Sequence, residues 1–142
     1  MVRVLASGVF DILHTGHISY LEQSKAFGDE LVVVVACDET VRQRKHEPIT
    51  PEAMRLKIIS SLKAVDKAFI GRVGDMFSIL CDIEPDIIVL GFDQAFDEKE
   101  LSKELSKRGF KIQVKRAREC GDDLTGTRRI VSKILEAYGG KK

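Results

Sequence analysis

His14 and His17 stand three residues apart in the segment Ser7-Gly8-Val9-Phe10-Asp11-Ile12-Leu13-His14-Thr15-Gly16-His17, which joins an apolar run to an amphipathic stretch. That order reads as strand, turn and helix N-terminus. Side chains three apart across a helix entry project toward one point, where the helix adds unpaired amides and the positive end of its dipole. Gly8 permits a close turn, and Gly16 leaves room for a ligand at the backbone. Two imidazoles converging there can donate hydrogen bonds to a phosphate whose negative charge grows in a transition state. This is the chemistry of phosphoryl or nucleotidyl transfer. Spacing alone leaves two other readings open: partly exposed turn histidines, or a metal site without an obvious third ligand. Neither a Walker A pattern nor G-x-G-x-x-G occurs, so P-loop and dinucleotide-fingerprint chemistry fall away.

A site of this kind needs a scaffold that ends a strand beneath it and starts a helix beside it. Short apolar runs at Val2–Ala6, Leu31–Ala36, Val65–Ile70, Asp86–Leu90 and Phe110–Val114 read as buried strands. Between and after them, His17–Phe27, Glu52–Leu62, Asp75–Cys81, Asp97–Arg108 and Thr127–Tyr138 read as helices. Thr50 is placed to cap the second helix with Pro51 at its first position, and Gly28 and Gly109 fall where helices end. In the last helix Ile130, Val131, Ile134, Leu135 and Tyr138 form one apolar stripe. The alternation predicts an α/β fold, a doubly wound five-stranded parallel sheet with helices on both faces. Ligands of such sheets bind beyond the carboxyl ends of the strands at a topological switch point. The segments after Ala6, Ala36, Ile70 and Leu90 are therefore where a site belongs.

The 142 residues suit one domain, expected over residues 1–138 with a frayed tail at 139–142. Twenty-three Lys and Arg nearly cancel 22 Asp and Glu, so no global field collects nucleic acid or anionic membrane, and an anion must be caught locally. The longest apolar stretch, Leu31 to Cys37, is far short of the ~20 residues of a membrane span. With no signal peptide evident, the expected location is the cytoplasm. Cys37, Cys81 and Cys120 form no C-x-x-C pair, which argues against a disulfide framework or a zinc ribbon.

Gly8-Val9-Phe10-Asp11-Ile12-Leu13-His14-Thr15-Gly16-His17 closely resembles the HxGH signature of the cytidylyltransferase-like nucleotidyltransferases, which join a nucleoside triphosphate to a phosphorylated acceptor and release pyrophosphate. The resemblance extends through Asp38-Glu39-Thr40-Val41, Pro51 to Arg55, Val65-Asp66 and Asp86 to Gln94. Within that superfamily the small glycerol-3-phosphate cytidylyltransferases and the archaeal FAD synthases are most similar. Leu90-Gly91-Phe92-Asp93-Gln94 before an acidic helix, and Lys107-Arg108-Gly109 before the fifth strand, look more like the latter.

The resemblance implies a Rossmann-like nucleotidyltransferase fold in which His14 and His17 are catalytic, acting on the transferring α-phosphoryl group and the departing pyrophosphate. It sets Val9, Phe10 and Gly16 against the nucleotide, Arg44 with Lys45 or His46 near a substrate phosphate, Arg55 at a family arginine position, and Asp93 near ribose or base. Asp11 is expected to brace the His14 turn. The chain departs from the family at Asp123-Leu124-Thr125-Gly126-Thr127-Arg128-Arg129, where Gly126 replaces an expected hydroxyl. Thr125, Thr127, the amides of Gly126 to Arg128 and the charge of Arg128 or Arg129 still suit phosphate at a helix N-terminus. Each has a plainer alternative: a solvated basic loop around Arg44, an exposed Arg55, and helix caps in Asp93 and Thr127. The expected substrates are ATP and FMN, with Mg²⁺ or another divalent cation on the nucleotide phosphates and a homodimer as the expected assembly. CTP with glycerol 3-phosphate or a similar sugar or polyol phosphate is the alternative pair. A nucleotide-binding regulator without turnover, and a redox sensor using Cys120, are alternatives of other classes.

Overall fold

The computed structural model describes residues 1–44, 46–74, 77–94, 97–121 and 126–139. Its elements run β1 (Arg3–Gly8), α1 (Thr15–Ala26), β2 (Glu30–Val35), α2 (Asp38–Arg44), α3 (Glu52–Ser60), β3 (Lys67–Ile70), α4 (Phe77–Ile83), β4 (Ile87–Leu90), α5 (Glu98–Lys107), β5 (Gln113–Arg116) and α6 (Thr127–Tyr138). The five strands form one sheet in the order β3-β2-β1-β4-β5, and every pairing is parallel. The chain thus winds outward from β1 to β3, returns across the sheet, and winds outward again through β4 and β5. The winding reverses between β1 and β4, where Val4 lies opposite Ile87 and Ala6 opposite Val89.

Alternating strand residues face two apolar layers, which is why the strands read as continuous hydrophobic runs. On one face Val4, Ala6, Leu31, Val33 and Val35 pack against Leu21 of α1 and Ile59 of α3. On the other, Leu5, Val32, Ile88 and Leu90 pack against Leu80 and Ile83 of α4 and Leu101 and Leu105 of α5. At about 1.5 to 3 kcal/mol for each fully buried aliphatic side chain, these layers hold the strand ends in place beneath the site.

Several boundaries differ from expectation. The fifth strand begins at Gln113 rather than Phe110, because Phe110 and Ile112 pack into the α5 layer from an irregular connection. Pro51, not Thr50, is the N-cap of α3 and supplies no side-chain cap; the Thr50 hydroxyl instead donates to Asp11 Oδ1 at 2.6 Å. Helix α2 forms at Asp38–Arg44, where the sequence predicts a loop after the second strand. Gly109 ends α5 with a left-handed φ of 88°, as expected of a glycine after a helix. Gly28 has another role: a Cβ there would lie 2.7 Å from both Val2 O and Val4 Cγ2, so β1 and the α1–β2 turn approach too closely for a side chain. The apolar stripe of α6 is present but uncovered, with no buried residue in the helix and Leu135 62% exposed. Lys45, Asp75 at the expected start of the third helix, Thr125 and residues 140–142 of the expected tail lie outside the described residues.

Candidate active site

β1 delivers the chain to the carboxyl edge of the sheet at Gly8, directly beside the switch point. Phe10 and Ile12 follow with left-handed φ values of 56° and 55°, a costly pair of conformations for bulky residues that marks a tightly determined loop. The Phe10 ring turns inward to 5% exposure, meeting the His17 ring edge-on with centroids 5.3 Å apart and stacking at 6.5 Å on Tyr20. Its side chain is thus a support under His17, so the part of Phe10 that can face a nucleotide is its backbone. Tyr20 in turn donates to Val89 O at 2.5 Å and accepts from Ser7 N at 3.1 Å, tying β1 to β4 across the switch point. Burial raises its phenol pKa, so it stays protonated as a donor.

His14 is the N-cap of α1, with extended backbone at φ −143° and ψ 174°. Its Nδ1 accepts from Gly16 N at 3.1 Å, while His17 Nδ1 accepts from His14 N at 3.3 Å, a capping box made from two imidazoles. Because both Nδ1 atoms are acceptors, each neutral ring carries its proton on Nε2, on the edge turned away from the helix backbone. The rings stack at 3.7 Å with 25° between planes, so two N–H donors are presented side by side. Burial pushes the His14 pKa below its ordinary value, and Asp93 opposes that shift only in part. No acidic residue occupies the first turn of α1, leaving its dipole open to an anion.

Asp11 steadies the histidine turn through bonds to the segment before α3 and not through a bond to His14 itself. Its carboxylate accepts from Ile49 N at 2.7 Å, Thr50 N at 2.9 Å and the Thr50 hydroxyl, clamping the β1–α1 loop to the segment before α3. Burial raises its pKa, but the bonds from Thr50 and Ile49 and the Arg55 charge outweigh that and hold it below the ordinary value. The Asp11 carbonyl accepts from the Thr127 hydroxyl at 2.8 Å, which brings the N-terminus of α6 to the histidine loop. Gly126 caps α6 without a side-chain bond, and its first turn is also free of acidic residues, with Arg128 exposed there. Two helix N-termini therefore meet at the carboxyl edge of the sheet.

Arg55 is placed differently from expectation. Its side chain is 0% exposed, and it donates to Thr50 O, Val9 O, Ala36 O and Asp38 Oδ1 at 2.6–2.9 Å. A guanidinium enclosed this way fastens three loops together and presents no donor to a substrate phosphate. Arg44, by contrast, is exposed at the end of α2 and lines a cavity of ≈ 600 Å³ that opens between β1, β2 and β4. Asp93 lines the same cavity from the β4 side and reaches His14 electrostatically. Its turn is set by Gln94, which accepts from Gly91 N at 3.0 Å and donates to Ser7 O at 3.1 Å, and by Arg116, which donates to Gly91 O at 2.7 Å. Sequence reasoning missed the structural roles of Tyr20, Gln94 and Arg116. Tyr20 could have been suspected from its place three residues after His17 on one helix face.

The cytidylyltransferase-like family model matches residues 5–136. The FAD synthase of Aciduliprofundum boonei is 54% identical over 96% of this chain and 92% of its own length. That of Methanococcoides burtonii is 51% identical over 98% and 97%. Among solved structures, a Thermoplasma volcanium protein described as a lipopolysaccharide core biosynthesis protein superposes with a TM-score of 0.83 and 52% identity, covering 84% of this chain and 98% of that one. An Archaeoglobus fulgidus protein of unknown function shares the fold alone, at 16% identity and a TM-score of 0.66.

Proposed function

This chain belongs to the cytidylyltransferase-like family, and from that premise we infer that it is an FMN adenylyltransferase, forming FAD and pyrophosphate from ATP and FMN. The observation that carries the reading is near-full-length identity to archaeal FAD synthases, 54% over 96% of the chain in one case. The intact histidine pair supports it from the side of chemistry.

A phosphate oxygen of FMN attacks the α-phosphorus of ATP, the bond to the bridging oxygen of the β-phosphate breaks, and pyrophosphate leaves with that electron pair. A phosphate monoester is already anionic near neutral pH, so the step needs positioning and charge stabilisation more than a strong base. The Nε2–H groups of His14 and His17 donate to the α-phosphoryl oxygens and the departing pyrophosphate. The N-terminus of α6, with Gly126, Thr127 and Arg128, and the positive dipole end of α1, where Gly16 lets a ligand come close to the backbone, hold the polyphosphate. Arg44 meets a substrate phosphate at the mouth of the cavity, and Asp93 contacts the nucleotide sugar or base.

Among the described residues no group of three or more His, Cys, Asp or Glu side chains is placed to hold a metal ion. A divalent cation, Mg²⁺ in this reading, therefore enters as part of the nucleotide substrate, on its phosphates. A cytoplasmic homodimer belongs to the same proposal. Its chemistry is tested by position-specific labelling of ATP: an α-phosphate label should appear in FAD and a γ-phosphate label in pyrophosphate. Label from the γ-position in the flavin product would mean phosphoryl transfer instead.

A further inference from the structure

The rung that follows the last β1–β4 pairing is made by a side chain. In β4 the even-numbered residues bond toward β5, with Gln113 N–H donating to Asp86 O and Ala117 N–H to Leu90 O, so the odd-numbered residues face β1. In β1 the even-numbered residues bond toward β2, where Ala36 N–H donates to Gly8 O, so the odd-numbered residues face β4. The pairing of the two strands ends at Ala6 and Val89. The next bond of a parallel ladder would run from Gly91 N–H to Ser7 O. Instead, Gly91 N–H donates to Gln94 Oε1 at 3.0 Å, and Gln94 Nε2–H donates to Ser7 O at 3.1 Å. Two hydrogen bonds and an amide group thus stand where one bond of ~2.9 Å would close the sheet. The opposite amide orientation would set N–H against N–H and oxygen against oxygen.

We propose that Gln94 is a positioning residue, whose amide is a spacer rung that holds β1 and β4 open at the switch point and so sets the separation of the histidine loop from Asp93. Its two bonds end on the segments that carry those groups. Ser7 leads through Gly8 into the loop with the left-handed residues Phe10 and Ile12, and on to His14. Gly91 and Gln94 bracket Asp93 in one turn, closed by Gln94 N–H on Gly91 O at 3.1 Å. Arg116 holds that turn from β5, donating to Gly91 O at 2.7 Å and to Gln94 O at 3.1 Å, so the backbone that aims the Gln94 side chain is itself fixed. Tyr20 accepts from Ser7 N at 3.1 Å, so a side chain grips each backbone group of Ser7. Without the amide, Gly91 N–H and Ser7 O can pair directly, which draws the Asp93 turn toward β1. A misplacement of about 1 Å between reacting groups can cost ~100-fold in rate. The loss falls on kcat, because each substrate keeps its own contacts while the two loops no longer share one geometry.

The spacer role rests on the adenylyl-transfer reading only for the substrates of its test. Gln94→Met keeps the length of the side chain without the amide, and Gln94→Glu keeps its shape but, when ionised, offers Ser7 O no donor. For both variants kcat and KM are measured with ATP and FMN at neutral pH, and urea denaturation checks that they fold. Each should lose ~100-fold in kcat while both KM values stay within about threefold of the native ones. A crystal structure of Gln94→Met should show Gly91 N bonded directly to Ser7 O at ~2.9 Å. A kcat within about threefold of native in the folded variants would overturn the assignment, whatever their stability. So would a raised KM at unchanged kcat, which would make Gln94 a substrate contact, or a gap between Ser7 and Gly91 that stays as wide in Gln94→Met. Failure of both variants to fold would make the rung a requirement of folding and overturn it too. If the native protein makes no FAD but transfers a cytidylyl group from CTP to glycerol 3-phosphate, the flavin reading falls, and the spacer stands or falls by the same kcat comparison in that reaction.

Discussion

Two arginines predicted to serve the same purpose have separated in the structure, and the difference is one of burial. Arg55 is enclosed, paired with Asp38 at 2.6 Å and bonded to three backbone carbonyls, whereas Arg44 stands exposed at the cavity. Breaking a buried charged pair by removing one partner typically costs ~3–5 kcal/mol. Arg55→Ala is therefore expected to lower the stability of the protein by about that amount in urea denaturation, while Arg44→Ala leaves it unchanged and raises KM for a phosphate-bearing substrate. Equal stability of the two variants would contradict this division of roles. The histidines make a sharper case. Each gives its Nδ1 to a backbone amide, which places the proton of the neutral ring on Nε2. Removing one donor of this type from a transition state usually costs ~2.7–4 kcal/mol, about 100- to 1000-fold in rate. His14→Ala and His17→Ala should each lose that much in kcat with little change in KM. A loss under ~10-fold in both folded variants would reduce the pair to helix caps.

The elements around the site explain what could and could not be read in the chain. His14, Gly16 and His17 were legible because a local pattern, strand then turn then helix entry, fixes their relation without help from distant residues. Helix α2 was not: of its seven residues only Val41 is buried, so about two turns of helix carried no periodic signal. The start of β5 was misplaced because Phe110 and Ile112 are as apolar as strand residues yet pack from outside the ladder. The purposes of Arg55 and Asp11 lay beyond reach for the same reason, since their partners at Asp38, Ile49 and Thr50 are chosen by how the loops meet. The Asp11 clamp joins two of those loops and has a definite pH dependence. Its folded pKa is depressed, so its contribution is fully present above the ordinary carboxylate value of ~3.9 and is lost as pH falls through the lower folded value. The stability difference between the native protein and Asp11→Asn should thus be large at neutral pH and shrink below pH ~4 in urea titrations. A difference that stays constant down to pH ~3 would mean that the carboxylate charge contributes nothing to the clamp.

At the scale of the molecule, the winding of the sheet decides where chemistry can occur. The order β3-β2-β1-β4-β5 puts the reversal between β1 and β4, and the loops leaving those two strands carry the histidines and Asp93. Tyr20 and Gln94 bridge the same two strands, so the site rests on a part of the sheet tied together by side chains as well as by its ladder. A net charge of +1 leaves attraction of the anionic substrates to this edge alone, through two helix termini and a few cations. One comparison bears on the whole account: kcat/KM for ATP with FMN against kcat/KM for CTP with glycerol 3-phosphate, measured on the same preparation with a divalent cation present and with products separated. Adenylyl transfer to FMN predicts FAD and pyrophosphate in equal amounts from the first pair and turnover at least ~100-fold less efficient from the second. Faster cytidylyl transfer to glycerol 3-phosphate, with no FAD formed, would contradict it.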